Sequence, residues 1–124
     1  MIVNLTDNGW EIIYHRAHAL LAAQLAGYWC KSDLTAQSID TIAAICHHDD
    51  LEREWQGSHL TAAGAPLDFT LGEDLSIPAL YQHIEDARYR GRWVALLVSM
   101  HMSFLSESKR GELPELDEFL DFIA

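Results

Sequence analysis

Beyond Tyr14 the chain reads as five helices joined by loops, a pattern whose apolar residues only a helical bundle can bury. The first helix spans about His15 to Trp29. Its expected inward stripe is His18, Leu21, Ala22, Leu25 and Trp29, at helical spacing. The second starts near Thr35, capped by Asp33 or Thr35, and runs to about His48. Ile39, Ile42, Ala43 and Cys46 form its stripe. A third opens with Ser76 as cap and Pro78 in its first turn, and stops at Gly91. The fourth runs from Arg92 to about Ser106 with the stripe Val94, Leu97, Val98, His101 and Leu105. The fifth begins at Pro114 and sets Leu116, Phe119, Leu120 and Ile123 on one face.

Two β-type runs precede the helices, Met1–Leu5 and Trp10–Tyr14. Asp7, Asn8 and Gly9 between them hold the Asn-Gly pair that favours a hairpin turn. The stretch from Gln56 to Gly72 contains Gly57, Gly64, Pro66 and Gly72 and reads as a long loop. Such loops in compact domains are often functional. The whole is expected to be one mainly α domain over residues 1–124.

Charge narrows the function. With 19 acids against 8 bases the net charge is −11, which repels phosphate backbones and anionic membrane surfaces. Nucleic-acid binding is therefore not expected, whereas a metal ion would be attracted. No apolar run is long enough to cross a membrane. The N-terminus shows no basic leader or secretion core, so a cytoplasmic location is expected. Cys30 and Cys46 do not make a disulfide framework and are expected as buried thiols.

Three helices carry a histidine in line with their apolar stripes: His18, His48 and His101. Next to His48 stands Asp49. Imidazole and carboxylate together suit Fe, Mn, Zn or Ni better than Mg or Ca. His18, His48, Asp49 and His101 are thus the expected ligands of a divalent transition metal. His47 and Asp50 are candidates for general acid and base beside it. Successive helical residues point about 100° apart, so His48 and Asp49 can share an ion only if the helix ends around them. A lone histidine on an apolar stripe is more often a hydrogen-bonded core residue. Three on three helices, one followed by an aspartate, favour the metal. His15, His59 and His83 read as surface or loop residues, Asp68 as a turn residue within reach of the site, and Trp10, Trp29, Trp55 and Trp93 as core.

The segments HRAHALLAAQLA, AICHHDDLEREW, PLDFT and WVALLVSMHMSFL together resemble an uncharacterised bacterial family distantly related to the HD superfamily of metal-dependent phosphohydrolases. The matching positions are His18, His48 with Asp49, and Ser99-Met100-His101. The resemblance implies an HD-like helical bundle with a short N-terminal β-hairpin. It also implies metal-assisted hydrolysis of a small phosphorylated or related substrate. Two departures stand out. The similar proteins are roughly twice as long, and their extra C-terminal helices carry a final aspartate. In addition, Asp50-Leu51-Glu52 follows the His-Asp pair where HD phosphohydrolases often have a glycine and a lysine for phosphate. A di-iron oxygenase is one alternative, since such members use additional histidines. A non-catalytic acidic interaction module is another.

The fifth helix stops at Ala124 in mid-pattern. Its apolar face is expected to pack on the domain core and on a second copy in a homo-oligomer or a further polypeptide segment.

Overall fold

A computed structural model of the protein describes residues 1–29, 35–51, 59–71 and 76–124. Asp33, Trp55, Cys30 and the glycines at 57 and 72, each given a part above, lie outside the described residues. Strands β1 (Ile2–Thr6) and β2 (Gly9–Ile13) pair antiparallel, with Ile2 opposite Ile13 and Thr6 opposite Gly9. Five helices follow: α1 (His15–Trp29), α2 (Ala36–His47), α3 (Ile77–Arg90), α4 (Arg92–Ser106) and α5 (Pro114–Ile123). The fold is mainly α with an N-terminal hairpin, as the helical spacing requires. None of its described helices is long and apolar enough to cross a membrane.

Local chemistry sets the helix ends. The Thr35 hydroxyl accepts from Ser38 N at 3.1 Å and so satisfies one of the unpaired donors that open α2. Thr35→Ala should cost about 1 kcal/mol of stability, read as a shift in the denaturant midpoint. An unshifted midpoint would show that this cap contributes nothing. Between α3 and α4 the chain turns on Gly91, whose φ of +139° is one that side chains disfavour.

The core lies where α2, α3, α4 and α5 meet. Ala44, Leu80, Ile84, Val94, Val98 and Phe119 are among its buried residues. Tyr81 meets Phe119 edge-on at 5.2 Å, and the Trp93 indole donates to Thr41 Oγ1 at 2.8 Å, tying α4 to α2. Helix α5 folds its own stripe inward: Leu116, Phe119 and Leu120 are all buried. The stripe thus packs on the domain's own core, as expected of it. Short turns at Glu107–Lys109 and Gly111 bring α5 back onto α3 and α4.

Helix α1 differs from expectation. Its buried residues are Ala19, Ala23 and Ala26, while Leu21, Leu25 and Trp29 face outward, Trp29 with 90% exposure. The stripe is rotated because small residues let α1 approach α2 closely, and interaxial distance depends on the side chains at the contact. Trp10 is likewise exposed. Of the described tryptophans, only Trp93 is half-buried. Ile39 and Leu105, both expected inside, are exposed, and Cys46 is only half-buried.

Candidate metal centre

Three elements converge beside the hairpin. Helix α1 presents His18 from its inward stripe, next to Ala19 and Ala22. Helix α2 ends at His47, and residues 48–50 form a turn closed by Asp50 N donating to the His47 carbonyl at 3.1 Å. That ending meets the condition set by helical geometry: off the helix, His48 and Asp49 no longer diverge by a fixed angle. His48 Nε2 lies 3.3 Å from Asp49 Oδ2.

One ligand atom from each of His18, His48 and Asp49 lies within 4.8 Å of the others. Ligands bonded to one tetrahedral zinc stand about 3.4 Å apart, so an ion would draw this trio in by roughly 1.4 Å at most. The His48 ring is already oriented. Its Nδ1 donates to the Ile45 carbonyl at 2.6 Å, leaving Nε2 on the side of Asp49. Metal-bound histidines typically anchor their second nitrogen in this way. His101, from α4, packs its ring nearly perpendicular to that of His48 at 4.9 Å, and the His18 ring stands 5.9 Å from His48. His101 Nε2 is buried without a hydrogen-bond partner among the described residues. An imidazole nitrogen so placed is costly unless a partner arrives, and a metal ion is one such partner.

Electrostatics couple the cluster. The hydrogen bond to Asp49 raises the His48 pKa above its usual 6.5, against the opposing effect of burial. The same bond holds the Asp49 carboxyl below the usual carboxylate range, with smaller help from His15 and His101. Burial, and then the neighbouring His48, push His101 down, which keeps its imidazole neutral and able to ligate.

His47 and Asp50, expected as acid and base, pair with each other and with two arginines. Asp50 Oδ1 sits 2.6 Å from Arg16 Nε, while its Oδ2 lies 3.7 Å from Arg90 and 3.5 Å from His47 Nδ1. These ion pairs tie the end of α2 to α1 and α3. In this arrangement both residues brace the turn that carries His48 and Asp49.

A cavity of about 750 Å³ opens beside His18 and Asp49. His15, His59 and Asp68 also line it, His59 and Asp68 from the loop and turn expected of them. Asp68 accepts from Val3 N at 2.8 Å and from Thr70 N at 2.9 Å, which pins the long loop to the hairpin. These bonds, those from Thr70 foremost, lower its pKa. His83 is buried and donates to the His48 carbonyl at 3.2 Å, supporting the turn from below. A signal for it was present: Leu80, His83, Ile84 and Ala87 share helical spacing. His15 likewise falls three residues before His18.

Fold and cluster together define a mainly helical protein with a candidate His/His/Asp metal triad. The chain belongs to the family DUF3891, described as a protein of unknown function, which matches residues 1–123. No curated protein and no solved structure matches it.

Proposed function

We propose that the protein binds a divalent transition metal through His18, His48 and Asp49, with His101 as a further donor, and acts as a hydrolase of a small molecule. The single observation that carries the reading is the trio within 4.8 Å, on a histidine whose other nitrogen is already committed to a carbonyl. A transition ion held by three such ligands polarises a substrate oxygen and lowers the pKa of water, chemistry suited to hydrolysis. The chain's own residues orient the ligands: Ile45 fixes the His48 tautomer, His83 supports its backbone, and Asp50 braces the turn through Arg16. The order of His18, His48-Asp49 and His101 along the chain supports an HD-like relationship. Elemental analysis of protein purified without chelator tests the reading. About one equivalent of Fe, Mn, Zn or Ni supports it; none taken up, even after incubation with each metal, contradicts it.

A di-iron oxygenase is the second reading, favoured by the buried Nε2 of His101 next to His48. It requires two iron atoms per chain and turnover that depends on oxygen and a reductant.

Metal uptake should depend on pH. In the metal-free fold His48 gains from its proton, because its folded pKa is raised. That contribution is full below about pH 6.5 and is lost as pH rises through the folded value. Metal binding needs Nε2 without its proton and strengthens over the same rise. The gap in melting temperature between zinc-loaded and metal-free protein should therefore widen between about pH 5.5 and about pH 8. A gap that is constant over this range would remove His48 from the ligand set.

A further inference from the structure

Resting on the metal reading, we infer that the cavity takes an amphipathic substrate: an oxygen-donor head at the His18–Asp49 end and an aliphatic tail along the apolar wall.

The wall is built by side chains from several elements. Leu51, Ile77 and Leu80 form part of it, with Met102 and Leu105 from α4 and Leu116 from α5. At about 750 Å³ the cavity lies in the range of ligand pockets, about 300–1,000 Å³. Its polar groups fall into separate sets. His15, His18 and Asp49 stand at the candidate metal, Asp68 and Thr70 on the loop pinned to β1, and Lys109 and Glu112 on the connection between α4 and α5, with Ser106 at the end of α4. Helical rise gives the length of the apolar stretch between them. His101, beside the cluster, and Lys109 are eight residues apart along α4 and the turn after it, a span of roughly 12 Å.

Charge argues against a phosphoester in this space. Among the described lining residues, Asp49, Asp68 and Glu112 stand against the single lysine, Lys109. Phosphate recognition ordinarily uses arginine forks or lysine, and among those residues there is no arginine and one lysine. An aliphatic tail meets no such penalty and removes apolar wall from water.

A pair of hydroxamates separates head from tail. Acetohydroxamate and octanohydroxamate carry the same metal-binding head and differ only in chain length. Cobalt binding to the intact chain is measured first, by absorbance. Calorimetry on the cobalt-loaded protein then compares the two hydroxamates. Each two buried methylenes should tighten binding roughly tenfold, so octanohydroxamate is expected to bind at least about 100-fold tighter. Leu105→Asp and Leu113→Asp alter cavity residues that are half exposed, so folding is not at stake. Each should lower the preference for octanohydroxamate at least about tenfold with cobalt affinity retained. Equal affinity for the two hydroxamates on cobalt-loaded protein overturns this inference alone. Absence of cobalt binding overturns the metal reading, and the inference with it.

Discussion

Replacement of His48 by alanine is expected to lower transition-metal affinity by at least about 100-fold, the upper end of what the loss of even an outer-sphere partner costs. The substitution removes the central group of the cluster. His48 Nε2 faces Asp49 at 3.3 Å, and its ring stands between those of His18 and His101. Alanine also frees the Ile45 carbonyl and leaves Asp49 without the partner that lowers its pKa. Competition for zinc against a chromogenic chelator reads the affinity, and the melting of metal-free protein reads the fold. A variant that melts normally and binds zinc as tightly as the parent would place the metal elsewhere.

Phe119→Ala should cost about 3–5 kcal/mol, the usual loss for a buried phenylalanine. Phe119 has 0% exposure and closes the core between α5 and α3, with its ring against Tyr81. Little room exists for collapse, because Leu116 and Leu120 on the same helix are already buried. Urea unfolding measures the change. A loss below about 1 kcal/mol would mean that α5 does not hold the core in solution.

Helix positions were legible in the sequence because their ends are chemical. Thr35, the Ser76 and Pro78 pair, Gly91 and Pro114 each mark a boundary that the structure keeps within a residue or two. Which face turns inward was less legible. In α1 the large apolar residues suggested the stripe, yet close packing against α2 selects alanines and turns Leu21, Leu25 and Trp29 outward. His18 lies on both candidate stripes, so its inward direction survived the rotation. The inward placement of His15 and His83 shows only in their spacing from His18 and from Leu80 and Ile84, not in either residue alone. The convergence of His48 and Asp49 depended on where α2 ends, and neither residue is a helix breaker. Distances set by tertiary contacts, such as Asp50 with Arg16 and Asp68 with Val3, have no local signature at all.

One ion is expected between His18, His48 and Asp49. Anomalous diffraction from crystals of zinc-loaded protein, recorded on both sides of the zinc edge, tests this placement most directly. A zinc peak is expected about 2.0–2.2 Å from a nitrogen of His18, from His48 Nε2 and from an Asp49 oxygen. A peak held by other residues, or none at saturating zinc, would contradict it.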